Sequence, residues 1–147
     1  MAARPDPFPP PDWVVPVGRG DVRRSGSALT IVTWGATVQK SLLAVDQLGA
    51  DVEVVDLRWL VPWDKELVAS SVERTGRCLV VHEDVGRAGY GAEVAAWVTE
   101  HCFTSLDAPV ARVTAKDCHV AYEPTLEEAI LPQADDIAAR IKELLAF

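Results

Sequence analysis

The sequence is short of most residues that would announce a chemistry by themselves. Cysteine occurs three times, at Cys78, Cys102 and Cys118, without C-x-x-C spacing. No disulfide framework or zinc ribbon follows from that pattern, and unpaired thiols fit a reducing cytoplasm. The histidines His82, His101 and His119 are scattered, with no H-x-x-x-H pair to seed a metal site. Positive charge is in deficit: 14 Lys and Arg stand against 22 Asp and Glu, a net charge of -8. That sign argues against nucleic acid, whose phosphates need Lys and Arg. No apolar run approaches the roughly 20 residues needed to span a bilayer. The N-terminal MAARPDPFPPPDW lacks the apolar core of a signal peptide. The expectation is a cytoplasmic protein that engages neither nucleic acid nor membrane.

What remains is ample material for a core. Hydrophobic residues make up 49% of the 147 positions, enough for one domain. Residues 1–13 hold Pro5, Pro7, Pro9, Pro10 and Pro11 and read as an extended arm or linker remnant. The folded domain is placed at residues 14–147. VVPVGRGDVRRSG offers short β-like pieces and turn glycines. Leu29 to Thr33 is an apolar, β-branched run expected of a strand buried on both faces. In ATVQKSLLAVDQLG, Val38, Leu42, Val45 and Leu48 form a helical stripe, and Gly49 stands where a C-cap belongs. DVEVVDL is a second strand. VPWDKELVASSVERTG begins with Pro62, offers Asp64 as an N-cap and closes on Gly76. RCLVVHE and PVARVT read as further strands, with GAEVAAWVTEHCF as the helix between them. The last stretch supplies one or two helices, broken at Pro132 and restarted near Asp135. Strand and helix alternate about four times over short connections, the pattern of a mostly parallel sheet with helices on both faces.

The stretch VVHEDVGRAGYGAEVAAWV raises a sharper question, because strand, glycine turn and helix is a layout that can cradle phosphate. Its order is G-x-x-G-x-G, the reverse of the dinucleotide fingerprint, and Ala92 and Glu93 stand where a P-loop needs Lys and Ser or Thr. Glu93 would repel a phosphate while suiting the helix dipole. The plainer reading is a sharp turn that allows close helix–sheet packing. His82 and Glu83 lie at the carboxyl end of a strand, where ligands and partners of open α/β sheets gather. A His beside carboxylates could move protons, but neighbouring strand residues point to opposite faces. The simpler role is a solvent-facing His82 that bonds a nearby loop and tolerates substitution. Cys118–His119 is poor geometry for a nucleophile and its base. Glu127–Glu128 and Asp135–Asp136 read as solvated first-turn charges. No catalytic, cofactor-binding or metal-binding residue is assigned.

The motifs VTWGATV, DLRWLVPWD (pattern D-L-R-x-L-x-P-x-D), VVHED and GYGAEVAA, followed by RVTAKDCHVAYEPTLEEAILP, occur in an order that resembles one family. They are similar to the C-terminal domain of 2-oxo acid dehydrogenase E1 β subunits, in the thiamine-diphosphate transketolase superfamily, from about Val14 to the end. The resemblance implies a three-layer α/β/α fold, with a mainly parallel five-stranded sheet and one antiparallel strand. It implies an assembly role in an oligomeric oxidoreductase whose partners are the E1 α subunit, the pyrimidine-binding domain of E1 β and the E2 subunit-binding domain. Thiamine diphosphate and Mg2+ belong to the complete enzyme; the diphosphate motif and the pyrimidine-side glutamate domain are not found in this sequence. The chain alone is therefore expected to be catalytically incompetent. Asp56, Arg58, His82, Glu83, Arg87 and Phe147 are the candidate interface or channel residues. The alternatives are the same domain of a transketolase or deoxyxylulose-phosphate synthase, and a stand-alone module that binds a small regulatory molecule.

Overall fold

The computed structural model describes residues 13–147; the proline-rich arm expected at 1–13 falls outside the described residues up to position 12. Five strands form one sheet: β1 (Asp21–Arg24), β2 (Leu29–Thr33), β3 (Val52–Asp56), β4 (Cys78–Val85) and β5 (Ala111–Ala115). Their order across the sheet is β1-β3-β2-β4-β5. β1 runs antiparallel to β3, while β2, β3, β4 and β5 pair in parallel. The antiparallel strand is built from DVRR, inside the stretch read as short β-like pieces. Five helices connect and cover the sheet: α1 (Thr37–Leu48), α2 (Lys65–Thr75), α3 (Tyr90–Cys102), α4 (Pro124–Ile130) and α5 (Ala134–Leu145). None is long and apolar enough to cross a membrane among the described residues.

The two-residue period of a strand divides the core into two layers. Leu29, Ile31, Val52, Val54, Leu79 and Val81 face one way, onto Ala44 and Val45 of α1 and Ile137, Ile141 and Leu144 of α5. Val32, Val55, Cys78 and Val80 face the other way, onto Val68 and Val72 of α2 and Val94, Val98 and Cys102 of α3. Apolar side chains on both faces explain why β2 shows no alternation: all of its residues are buried.

Local punctuation sets the helix limits. Gly49 and Gly76 close α1 and α2 in the left-handed conformation, which glycine adopts without steric cost. The Asp64 carboxylate accepts the Leu67 amide at 3.1 Å and the Gly20 amide at 3.1 Å. One cap thus starts α2 and also ties down the chain entering β1. Asp64 is the N-cap as expected, and Pro62 lies three residues before Lys65, behind a cis Val61–Pro62 bond. In α1, Thr37, Ser41 and Ala44 take buried places, while Leu42 and Leu48 of the expected stripe are only half-buried.

Candidate functional site

β2 is followed in space by β3 on one side and by β4 on the other, and β5 continues the second direction. The chain therefore switches direction between β2 and β4, and their carboxyl ends border the crevice where open α/β sheets bind ligands. Trp34 leaves β2 there, β4 brings His82, and α3 begins beside them with Gly89, Tyr90 and Gly91. The His82 imidazole stacks on Trp34 with centroids 5.3 Å apart and planes 6° apart. Tyr90 meets the edge of Trp34 at 6.2 Å, and its hydroxyl donates to the Leu60 carbonyl at 2.5 Å.

Gly91, and in part Gly89, makes room for this imidazole. A Cβ on Gly91 would fall 2.2 Å from Cδ2 and Nε2 of His82. One on Gly89 would fall 2.1 Å from the Val85 carbonyl oxygen and 3.0 Å from His82 Cε1. The packing reading of the motif thus acquires a specific object, the ring of His82.

The structure corrects the expectation of a solvent-facing histidine. His82 is 0% exposed, and neither ring nitrogen has a hydrogen-bond partner among the described residues. Its position in β4 has the parity of Val80, so it points under α3, where the turn closes over it. Burial lowers its pKa below the ordinary value of 6.5; Asp84 opposes that shift and Arg112 adds to it. Glu83 takes the opposite face, as the strand period requires, and pairs with Lys40 of α1 at 3.4 Å. His82 and Glu83 do not form a pair.

The remaining candidate residues fall into three places. Arg87 sits on the turn, exposed, with its amide on Asp117 Oδ1 at 3.2 Å and its guanidinium 3.6 Å from Asp117. Asp56 and Arg58 are brought together just past β3: the Asp56 carboxylate accepts the Arg58 amide at 3.0 Å. That contact holds Arg58 in the left-handed region, at φ 57°. Its guanidinium then donates to Asp21 at 2.6 Å and lies 5.8 Å from the Trp13 ring. Phe147 is remote from all of these. It follows α5, whose Leu144 carbonyl accepts from Arg77 at the amino end of β4, so it marks the opposite edge of the sheet. It is 70% exposed and shares a groove of about 560 Å³ with Phe103, Leu106 and Val110.

Sequence reasoning missed a second groove of about 530 Å³, lined by Leu60, Val61, Trp63, Lys65, Tyr90 and Trp97. Trp63 and Trp97 meet edge to face at 4.9 Å, and the Lys65 ammonium lies 5.7 and 5.5 Å from their rings. Five tryptophans in 147 residues were the available signal, but helix and strand patterns do not say which aromatics meet.

Burial keeps two of the three thiols in their unreactive, protonated form. Burial, with Cys102 nearby, pushes the Cys78 thiol up to about 12; burial, with Glu73, raises that of Cys102. Both are buried, and Cys118 is exposed. Since the thiolate is the reactive form, maleimide labelling of the native chain should modify Cys118 alone, and mass spectrometry should find the other two modified only after denaturation. Rapid native labelling of Cys78 would contradict the burial.

Three comparisons bear on this geometry. The family profile described as transketolase, C-terminal domain, matches residues 18–137. The chain is 38% identical to the 2-oxoisovalerate dehydrogenase subunit beta of Bacillus subtilis over 143 residues, covering 95% of this chain and 44% of that protein. It is 43% identical to the mitochondrial 2-oxoisovalerate dehydrogenase subunit beta 2 of Arabidopsis thaliana, covering 95% and 39%. It is 39% identical to the pyruvate dehydrogenase E1 component subunit beta of Staphylococcus aureus, covering 95% and 43%. The chain thus spans less than half the length of these curated relatives. Among solved structures it is similar to a split gene transketolase, an inactive β4 tetramer, with a TM-score of 0.77 and 30% identity over 93% of this chain and 45% of that one. A 2-oxoglutarate:ferredoxin oxidoreductase from Magnetococcus marinus shares the fold, with a TM-score of 0.56 and 13% identity over 86% of this chain and 20% of that one.

Proposed function

Because the chain belongs to the family of transketolase C-terminal domains, we propose that it is the C-terminal assembly domain of a thiamine-diphosphate-dependent 2-oxo acid dehydrogenase E1 β subunit, joining subunits and docking E2 without performing the chemistry itself. The observation that carries this reading is the similarity to E1 β subunits along 95% of this chain but less than half of theirs. The surface supports an assembly role. Val17 and Val61 are exposed along one groove, and Val120, Tyr122 and Leu126 are exposed on the segment after β5, with Tyr122 at 104%. Clustered exposed apolar side chains of this kind mark places where other chains rest.

The donor set does not fit a magnesium diphosphate. Among the described residues no three His, Cys, Asp or Glu side chains gather to hold a metal ion, and Glu83, Asp117 and Asp21 are engaged by Lys40, Arg87 and Arg58. On this reading, thiamine diphosphate and Mg2+ belong to the rest of the complete enzyme. Calorimetry with thiamine diphosphate and Mg2+ is expected to show no binding by the isolated chain; a micromolar dissociation constant would overturn the assignment.

Partners follow from the same reading: an E1 α subunit, the pyrimidine-binding domain of E1 β, and the subunit-binding domain of E2. The Phe103–Phe147 groove at the amino edge is the surface proposed for E2. Its apolar walls supply contact area, and the net charge of -8 favours encounter with a basic domain. Deleting Ala146 and Phe147 should leave the fold intact, because α5 is anchored by Ile137, Ile141 and Leu144. Titration of the E2 subunit-binding domain against the reconstituted enzyme should show weaker binding after the deletion, falling further as salt rises. Equal affinities at low salt would remove this groove from the interface. The runner-up, the C-terminal domain of another transketolase-superfamily enzyme, is favoured by the similarity to the split gene transketolase chain. Co-purification from the native cell separates the two: E1 α and E2 should accompany the chain in the first case and be absent in the second.

A further inference from the structure

The assembly reading gives no task to His82, yet the fold makes costly provision for it. β4 leaves its register with β5 between Val81 and Val85, the stretch that holds His82. From outside, polar contacts hold the following turn. Arg112 of β5 donates to the Gly86 carbonyl at 2.7 Å. Asp117 accepts the Arg87 amide at 3.2 Å, and Asp84 accepts the Val85 amide at 2.8 Å. Ala88 adopts φ 60°, a conformation that costs an alanine about 1 kcal/mol or more. From inside, the neutral imidazole alone fills the space between Trp34 and the glycines.

The charged groups around the ring make this arrangement sensitive to a proton. Asp84 faces it from its own strand and Arg112 from β5. α3 presents Gly91, Tyr90 and, in its first turn, Glu93, while the link after β2 presents Trp34, which is uncharged. Glu83 and Lys40 are paired on the other face of the sheet. An imidazolium in this space would have two N–H donors and no acceptor within the cage, a cost that buried charges avoid by moving or by staying neutral. It would repel Arg112, the side chain that holds Gly86, and be drawn toward Asp84, which is exposed at the mouth of the turn.

We propose that His82 is a proton-operated latch for the Val85–Gly89 turn. With a neutral ring the turn is shut. On protonation the ring leaves its cage toward Asp84, the Arg112–Gly86 contact is released, and the turn opens to uncover Trp34 and Tyr90 at the switch point. The surface that changes also carries Arg87 and Asp117, so any association across the carboxyl edge becomes dependent on pH. The sign follows from the buried neutral form: closed at neutral pH, opening as pH falls below the ordinary histidine value of 6.5.

Amide hydrogen exchange of the full chain tests this directly, read from about pH 8 to about pH 5 and corrected for intrinsic rates. Protection of the amides of residues 85–91 should fall by about tenfold per pH unit as pH drops below the ordinary histidine value of 6.5 that the freed ring regains, as for any opening coupled to one proton. Protection along the β2–β3 ladder should not change over the same range. His82→Phe keeps a ring in the cage and removes the titration, so its turn should stay protected throughout. The double variant His101→Asn/His119→Asn should still open. If His82→Phe does not fold, the histidine ring resonances of the wild-type chain decide the matter: that of His82 must titrate below 6.5, at a lower pH than that at which turn protection begins to fall. Protection independent of pH, the same loss in His82→Phe, or turn opening without titration of His82 would each overturn the latch.

Discussion

Gly91→Ala is expected to destabilise the domain by about 2 to 3 kcal/mol, the upper range for forcing an atom into a packed site. In a domain of this size that is a fall in Tm of about 5 to 10 °C. The added Cβ would lie 2.2 Å from two ring atoms of His82 and 3.2 Å from Val80 Cγ1. Trp34 stacks on the ring, so with the turn shut the imidazole has little room to give way. A double-mutant cycle identifies the cause. His82→Ala by itself leaves a void beside Trp34 and should cost about 1 to 3 kcal/mol, more than the change expected of an exposed histidine. Combined with Gly91→Ala it removes the clash, so the double variant should lose at least about 1 kcal/mol less than the sum. Thermal and chemical denaturation of the four proteins read the cycle. Additive losses would show that Gly91 is required for a reason other than the imidazole.

Arg74→Ala is expected to cost about 2 to 3 kcal/mol, below the usual loss from breaking a buried pair because the guanidinium is partly solvated. Glu53 of β3 is buried under α2, with Oε2 on Arg74 at 2.5 Å and Oε1 without a partner. The arginine is 48% exposed and also donates to the Gly26 carbonyl at 2.5 Å. Removing it leaves a carboxylate in the sheet with no cation and frees the turn before β2. Gly26 presses on the backbone of β3, where a Cβ would be 2.3 Å from the Val52 carbonyl carbon, so the turn has one place to sit. Adding Glu53→Gln should recover part of the loss, since the orphaned charge is then gone. A urea midpoint for Arg74→Ala close to that of the parent chain would show that the pair adds nothing beyond its surface hydrogen bond.

Much of the architecture could be read along the chain because its causes are local. The two-sided burial of Leu29 to Thr33, the caps at Gly49, Asp64 and Gly76, and the break at Pro132 each depend on a few neighbouring residues. Alternating strands and helices with short links then leave few topologies, and the right-handed crossover rule prunes those further. The motif order likewise carried the family. The antiparallel pairing of DVRR was not legible in its own four residues, since an edge strand this short and charged gains its identity from β3.

The site was legible only as a place. His82, Glu83 and Arg87 could be set at the carboxyl edge from their position after an apolar strand, but their surroundings come from far along the chain. Lys40 reaches Glu83 across 43 positions, Asp117 reaches Arg87 across 30, and Arg112 reaches Gly86 across 26. Phe147 lies at the other edge because α5 ends beside Arg77, at the amino end of β4. Whether His82 faced water or the core depended on α3 folding back so that Gly91 closes over its ring. By itself the sequence determined the elements, their order and the family, because propensity, capping and periodicity act within a turn or a strand. Which charges are paired and which ring is buried was decided by tertiary structure alone, because desolvation and ion pairing depend on distances between segments that no local pattern encodes.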